Sequence, residues 1–167
     1  GTTERVLFAQ NAEEQLPMAS TTKIMTAMVA IEQGNLDRTY TVRKAYTQVE
    51  GSSMYLREGE RLTLRETLYG LLLLSGNDAA LAIAGECGGT AAFVQEMNAE
   101  AVQLGLTHTH FDNPNGLDGD THYTTACELA RLAAYAMQNT TFREIVSTQY
   151  YHAGGRYMKN HNKLLRL

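Results

Sequence analysis

A serine and a lysine lie three positions apart near the start of the chain, in the tetrad Ser20-Thr21-Thr22-Lys23. Residues three apart share one face of a helix, so the hydroxyl and the amine can meet. A serine hydroxyl needs a base to take its proton, and a lysine whose pKa is depressed by burial can be that base. No other serine in the chain has a lysine three residues later. The pattern is short, however, and it also fits a solvated helix start with Ser20 as the N-cap.

The segment after the tetrad favours the catalytic interpretation. Residues Ile24 to Ile31 are apolar nearly all round, and Gly34 is typical of a helix C-terminus. A helix of this composition is predicted to be buried. Ser20 and Lys23 then lie at its first turn, where free backbone N–H groups can stabilise a developing oxyanion.

A second polar motif, Ser75-Gly76-Asn77, follows directly after the run Leu71–Leu74. The helix before it begins with Thr63 and Glu66 in a capping-box pattern. An ordinary helix-ending turn explains Gly76 and Asn77, because both residue types are common there. It does not explain a second helix, predicted from Asp78 to Ala84, that restarts at once. The sequence therefore predicts a buried helix that presents a polar turn at its end.

Together the two motifs resemble those of penicillin-binding proteins and serine β-lactamases, which carry Ser-x-x-Lys, Ser-x-Asn and Lys-Thr-Gly. The resemblance is most specific to the D-alanyl-D-alanine carboxypeptidases, the low-molecular-weight penicillin-binding proteins. It covers nearly the whole chain in the family's order, most clearly in residues 16–26, 59–80, 110–117 and 122–126. Gly76 favours the carboxypeptidases over class A β-lactamases, which have Ser-Asp-Asn there. The resemblance implies an α+β fold, mostly helical, with a β-lactamase/transpeptidase-like helical core.

The resemblance also implies roles for four residues. Ser20 would attack the terminal D-Ala-D-Ala bond of a peptidoglycan pentapeptide, and Lys23 would take its proton. Ser75 would pass a proton to the leaving amine, while Asn77 would hold the substrate's amide and keep Lys23 in place. β-Lactam antibiotics would acylate Ser20 as substrate mimics. Neither a metal nor another cofactor is implied.

The family's third motif does not occur in the sequence. None of the lysines is followed by Thr-Gly or Ser-Gly: Lys23, Lys44, Lys159 and Lys163. In the family that motif lies on a strand after a segment like 160–165, and another strand precedes the one predicted here over Glu4–Gln10. We therefore expect residues 1–167 to be a single, incomplete catalytic domain with part of its antiparallel sheet missing. Such a chain is expected to be inactive unless a second chain or copy supplies the strands.

Two alternatives to a carboxypeptidase stay open at this point. A serine β-lactamase would share Ser20 and Lys23 but needs a carboxylate for the deacylating water. Glu128 and Glu144 both fit helix-capping patterns, so neither is predicted to be that carboxylate. The second alternative is a non-catalytic fragment of a penicillin-binding protein, which the absence of the third motif supports.

Composition narrows the setting further. A length of 167 residues fits one domain, and 44% hydrophobic residues suffice for a core. The net charge of −4 without any basic run argues against nucleic-acid binding. No apolar stretch is long enough to span a membrane. The resemblance implies a bacterial, extracytoplasmic location at the cell wall. It also allows a membrane anchor in the longer parent protein.

The cysteines and histidines suggest structural roles. Cys87 and Cys127 are predicted to be unpaired and buried among small apolar residues. The pair His108 and His110 has no further ligand at a standard metal-binding spacing. His122 is predicted to make structural hydrogen bonds near the cleft, as is His161.

The rest of the chain is predicted to alternate helices, short strands and turns. A strand is predicted at Thr39–Val42 and a hairpin around Gly154-Gly155, whereas residues 108–123 are predicted to be a loop. Helices are predicted at 90–104, from the cap Thr125 to Gln138, and from a capping box at Thr141.

Overall fold

The computed structural model describes residues 6–117 and 119–166. Within these residues the helices are α1 Lys23–Gln33, α2 Lys44–Thr47, α3 Leu64–Leu74, α4 Asn77–Glu86, α5 Thr90–Gln103, α6 Ala126–Ala136 and α7 Thr140–Ser147. The strands are β1 Thr39–Thr41, β2 Arg61–Thr63, β3 Tyr150–Ala153 and β4 Arg156–Lys159. Single 3-10 turns cover Ala19–Thr22 and Lys163–Arg166. The mostly helical α+β fold class predicted from the sequence is confirmed.

The strands form two small antiparallel sheets. β1 pairs with β2 so that Tyr40 lies opposite Leu62, and β3 pairs with β4 so that Tyr151 lies opposite Met158. The β3–β4 connection is Gly154-Gly155, and both glycines have positive φ, which suits a tight hairpin turn. The predicted strand near Thr39 and the predicted hairpin are therefore confirmed.

Helix α1 is the centre of the molecule. It packs against α3, α4, α5, α6 and α7, and most of its side chains are buried. Its apolar composition leaves no face suited to water, so burial on several sides is the stable arrangement. Gly34, with a φ of 75°, ends the helix. The prediction that this helix is buried is confirmed.

Two of the three predicted N-caps, Thr63 and Thr125, are confirmed, and the third is wrong. Thr63 and Glu66 form the complete capping box that begins α3. Thr125 caps α6, but the Glu128 side chain does not close a box with it. The N-cap of α7 is Asn139 rather than Thr141, so the capping box predicted at Thr141 is wrong. Asn139 begins the helix before Thr141, because its side chain accepts the backbone N–H of Phe142.

The strand predicted over Glu4–Gln10 is wrong for the part that can be compared. Glu4 and Arg5 lie outside the described residues. Residues 6–10 form no strand, and Val6, Leu7 and Phe8 are 70%, 88% and 82% exposed. A strand needs a partner for its backbone groups, and no described strand lies beside these residues. Among the described residues, no helix is both long and apolar enough to cross a membrane.

Candidate active site

The first three residues of the Ser-x-x-Lys tetrad lie in a 3-10 turn, and its lysine is the first residue of α1. The Nζ atom of Lys23 donates a hydrogen bond to the Oγ atom of Ser20 across 3.2 Å. Ser20 is exposed, whereas Lys23 is only 3% exposed. The turn therefore places an accessible hydroxyl against a buried amine, which is the arrangement of a nucleophile and its base.

The second hydrogen bond of Lys23 comes from a loop far away in sequence. Its Nζ atom donates to the backbone carbonyl of Asn115 across 2.6 Å. Asn77, which the resemblance implied would keep Lys23 in place, makes no hydrogen bond to it among the described residues. The amide nitrogen of Asn77 donates instead to the carbonyl of Glu50 across 2.7 Å.

Local hydrogen bonds aim the Asn115 carbonyl at Lys23. The Asn113 side chain accepts the N–H of Gly116 at 2.8 Å, which closes an Asx-type turn. The hydroxyl of Thr26, one turn along α1 from Thr22, donates to the carbonyl of Pro114 at 2.6 Å. The loop is thus fixed to α1 beside Lys23. Asn115 was predicted only to lie in the loop over residues 108–123, and its role was missed because a backbone carbonyl leaves no residue-type signature.

Burial lowers the pKa of Lys23 from its ordinary value to about 8. Loss of water disfavours the ammonium form, and the negative charge of Asp78 opposes that effect in part. A lysine with this pKa is partly neutral near neutral pH and can accept a proton from serine.

Ser75 and Asn77 lie at the junction of α3 and α4. Ser75 follows the last turn of α3 in the left-handed conformation, with a φ of 58°, and is half-buried. Asn77 begins α4 and is 5% exposed, and its backbone N–H donates to the carbonyl of Ser52. The predicted restart of a helix directly after the motif is confirmed.

Asp78 fixes the segment opposite this junction, a role that the sequence analysis missed. Its buried carboxylate accepts the hydroxyl of Ser53 at 2.6 Å and the N–H groups of Met54 and Leu56 at 2.9 Å each. A carboxylate at the N-terminus of α4 is also favoured by the helix dipole. An acidic residue in a first helical turn is a recognisable signal, but its long-range partners are not.

The two glutamates considered as water-activating groups are held elsewhere. The Glu128 carboxylate is buried and accepts the N–H of His108 at 3.0 Å and the hydroxyl of Thr109 at 2.6 Å. Glu144 accepts the hydroxyl of Tyr69 at 3.3 Å. The prediction that both carboxylates cap their helices is therefore wrong, because each bonds to a distant segment.

Two histidines make hydrogen bonds within the fold, and both cysteines are free. His122 is buried and bonds to Thr22 and to the backbone of Asp112, which confirms its structural role. His161 lies beside α3, and its N–H donates to the carbonyl of Leu73. Cys87 and Cys127 are both free and only partly buried. Within the described residues, no group of three His, Cys, Asp or Glu side chains is close enough to bind a metal.

Comparison with known families decides which proteins this arrangement belongs to. The family model of peptidase S11, described as D-alanyl-D-alanine carboxypeptidase, matches residues 1–166. The chain belongs to the D-alanyl-D-alanine carboxypeptidase family. The resemblance inferred from the motifs is thereby confirmed.

Curated relatives in this family carry the same description. A D-alanyl-D-alanine carboxypeptidase of Streptomyces sp. strain K15 is 40% identical over 164 residues, covering 90% of this chain and 56% of the relative. The D-alanyl-D-alanine carboxypeptidase DacB2 of Mycobacterium tuberculosis is 39% identical over 145 residues, covering 86% of this chain and 50% of the relative. The chain thus spans about half the length of these relatives.

Solved structures of penicillin-binding enzymes have the same fold. The D-alanyl-D-alanine carboxypeptidase of M. tuberculosis H37Rv superposes with a TM-score of 0.93 at 35% identity, covering 98% of this chain and 64% of that structure. The Streptomyces K15 DD-transpeptidase superposes with a TM-score of 0.89 at 38% identity, covering 95% of this chain and 70% of that structure. The predicted transpeptidase-like helical core is confirmed.

Proposed function

We propose that Ser20 is the nucleophile of a serine D-Ala-D-Ala carboxypeptidase that acts on peptidoglycan stem peptides. The observation that carries this proposal is the hydrogen bond between Lys23 Nζ and Ser20 Oγ, made by an amine whose pKa burial lowers to about 8. In its neutral form, Lys23 takes the proton of the Ser20 hydroxyl as the oxygen attacks the carbonyl carbon of the terminal peptide bond. The family relatives named D-alanyl-D-alanine carboxypeptidases support the choice of substrate.

The remaining steps rest on the roles that the family resemblance implies for the second motif. Ser75 relays the proton from Lys23 to the nitrogen of the departing D-alanine, so that the C–N bond breaks and an acyl-enzyme ester stays on Ser20. Asn77 contacts the substrate's amide from the start of α4. A water molecule then attacks the ester, its proton returns to Ser20, and the shortened peptide leaves with a new carboxylate.

A DD-transpeptidase would share every step up to the acyl-enzyme, because only the acceptor differs: an amine rather than water. A serine β-lactamase is less well supported. It needs a carboxylate near the ester, and Glu128 and Glu144 bond to the backbone of His108 and the hydroxyl of Tyr69. A non-catalytic fragment is the alternative that the experiment below tests directly.

The proposal includes the setting of the reaction. The substrate, peptidoglycan, lies outside the cytoplasmic membrane, so we place the protein in the bacterial cell envelope. No Lys-Thr-Gly sequence occurs in residues 1–167. The group that holds the substrate's terminal carboxylate is therefore proposed to come from elsewhere, either the rest of a longer, membrane-anchored protein or a second chain. β-Lactams would bind as mimics of the same substrate.

Intact mass spectrometry after incubation with a penicillin tests the function, with Ser20→Ala and the exposed serine variant Ser147→Ala as controls. With the missing strands supplied by the rest of a longer protein or by a second chain, we expect one adduct of the full antibiotic mass that persists, is lost in Ser20→Ala, and survives in Ser147→Ala. An adduct that forms and disappears during turnover would favour a β-lactamase. A folded chain without any adduct would contradict a working nucleophile in these residues.

A further inference from the structure

The backbone just before the proposed nucleophile has an unusual conformation. Ala19 has a φ of 45°, in the left-handed region that residues with a Cβ atom rarely adopt. Such a conformation persists only where the surroundings hold it. The Oγ atom of Ser20 has no hydrogen bond other than the one from Lys23 within the described residues. Its position therefore depends on how firmly the Ala19–Thr22 turn is held.

One contact that holds the turn is made by the backbone of Gly116. A Cβ atom at position 116 would lie 2.0 Å from the carbonyl oxygen of Ala19 and 3.0 Å from the Oγ1 atom of Thr22. Gly116 also has a φ of +85°, which suits glycine. The loop backbone thus lies directly against the turn, at a distance that only glycine permits.

The second contact is a buried hydrogen-bonded link through His122. The N–H of Asp112 donates to Nδ1 of His122 at 2.9 Å, and Nε2 lies 2.7 Å from the Oγ1 atom of Thr22. A backbone N–H can only donate, so Nδ1 must be the acceptor. In the neutral ring the proton is then on Nε2, which donates to Thr22. Thr22 itself is fully buried, between Ser20 and Lys23 in sequence.

We propose that His122, acting through Thr22, and Gly116, acting through Ala19, are positioning residues for Ser20. They hold the turn in the conformation that keeps the Ser20 hydroxyl against Lys23. Asn115, whose carbonyl accepts from Lys23, lies next to Gly116. The same loop therefore contacts both the turn that carries Ser20 and the amine of Lys23. This inference rests on the proposed function of Ser20. Neither His122 nor Gly116 touches the substrate in this scheme.

Acylation kinetics test the link, because a positioning role changes the rate of the chemical step more than the binding of the antibiotic. The variant is Thr22→Val, which removes the hydroxyl and keeps the shape. The matched control is Thr67→Val, which removes an equally buried hydroxyl that bonds to Tyr40 at 2.8 Å, away from the tetrad. We expect Thr22→Val to lower the acylation rate constant by roughly 10- to 100-fold with little change in the noncovalent dissociation constant.

The control is expected to lose stability without losing acylation rate. Equal rates in Thr22→Val and the unaltered chain would overturn the proposal, as would equal losses in both valine variants. A conservative replacement adds a second criterion. His122→Gln keeps an amide donor for Thr22, so it should retain more of the rate than His122→Ala, and equal losses would contradict a hydrogen-bonding role.

A measurement that needs no acylation separates this inference from the proposed function. The three-bond coupling between the amide proton and the α proton of Ala19, taken together with the NOE between these two protons, which is strongest at positive φ, reports its φ by NMR. We expect the coupling to indicate a left-handed residue in the unaltered chain and in Thr67→Val, and to change in Thr22→Val and His122→Ala. A chain that is never acylated but shows this pattern would contradict only the enzymatic function. An unchanged coupling in all variants would overturn the positioning role.

Discussion

The pKa of Lys23 depends on the absence of a hydrogen bond to a charged group among its described partners. Both of its hydrogen-bond acceptors are neutral, the Ser20 hydroxyl and the Asn115 carbonyl. Neutral acceptors provide hydrogen bonds to the amine. They offset little of the hydration free energy that the ammonium form loses on burial. Asp78 acts on Lys23 only through its charge and without a hydrogen bond to it. The lowered pKa therefore follows from burial beside uncharged partners.

A first prediction concerns the pH dependence of Ser20 acylation. In the proposed mechanism the neutral amine of Lys23 is the base, so the acylation rate should rise with pH and level off above about 8, the pKa of Lys23. Below that value the rate should fall about tenfold per pH unit, since each unit lowers the neutral fraction about tenfold. The measurement is the second-order rate constant with a β-lactam across this range. A rate that does not change with pH would show that Lys23 is not the base.

A second prediction concerns Asp78. The charge of Asp78 raises the pKa of Lys23, so Asp78→Asn should move the midpoint of the acylation profile to lower pH. The same change removes one acceptor of a buried network that binds the N–H groups of Met54 and Leu56, and it should lower the free energy of unfolding by about 1–3 kcal/mol. Asp37→Asn, at an exposed carboxylate, is the control and should leave the midpoint unchanged. A midpoint that moves to higher pH would contradict the electrostatic argument.

At the scale of single elements, the sequence predicts the helix ends that depend on neighbouring residues only. The start of α3 follows from Thr63 and Glu66, and the end of α1 follows from Gly34, because capping is settled by residues within one turn. The prediction of a strand over Glu4–Gln10 was wrong at residues 6–10, because strand formation depends on a partner strand that local sequence does not specify.

The same distinction applies to the candidate site. The contact between Ser20 and Lys23 follows from their spacing in a helical turn and could be predicted. The roles of Asn115 and Glu128 could not be predicted, because their partners lie 92 and 20 residues away in sequence. Contacts of that kind are set by how α1, α6 and the intervening loops pack, which no local pattern encodes.

A third prediction concerns the packing of α2 on α4. Gly85 in α4 faces the ring of Tyr46, and a Cβ atom at position 85 would lie 2.5 Å from a ring carbon. Gly85→Ala should therefore lower the free energy of unfolding by about 1–3 kcal/mol through overpacking. This cost should exceed the gain of up to about 1 kcal/mol in helix propensity. Chemical denaturation measures the difference.

A double-mutant cycle identifies the cause of that loss. In the Tyr46→Leu background the overlap is relieved, so Gly85→Ala should become neutral or stabilising. A loss of the same size in both backgrounds would mean that overlap with the Tyr46 ring is not the cause of the destabilisation. Because Tyr46 also donates to Glu86, Tyr46→Phe separates the hydroxyl from the ring.

At the scale of the whole molecule, the C-terminal hairpin supports the loop that contacts Asn77. Arg156, at the start of β4, forms a two-pronged pair with Glu60, with N–O distances of 2.7 and 2.6 Å. It also donates to the carbonyl of Tyr55, which lies between the two N–H groups bound by Asp78. Residues 50–60 are thus held by α4 on one side and by the hairpin on the other.

The fourth prediction tests this long-range support with two arginines that make similar pairs. Arg156→Lys loses the fork geometry at a pair whose side chains are only 14% and 18% exposed, so the free energy of unfolding should fall by about 1–3 kcal/mol. Arg65→Lys makes the same change at a pair that is 34% and 78% exposed and should have little effect, because water screens that pair.

Amide hydrogen exchange then shows where the support is lost. In Arg156→Lys the N–H groups of Met54 and Leu56 should exchange faster, since the loop that Asp78 binds has lost its second attachment. In Arg65→Lys both should exchange as in the unaltered chain. Faster exchange confined to the hairpin itself would mean that the hairpin does not support the segment bound by Asp78, and that the other contacts of residues 50–60, such as those with Asn77, are sufficient.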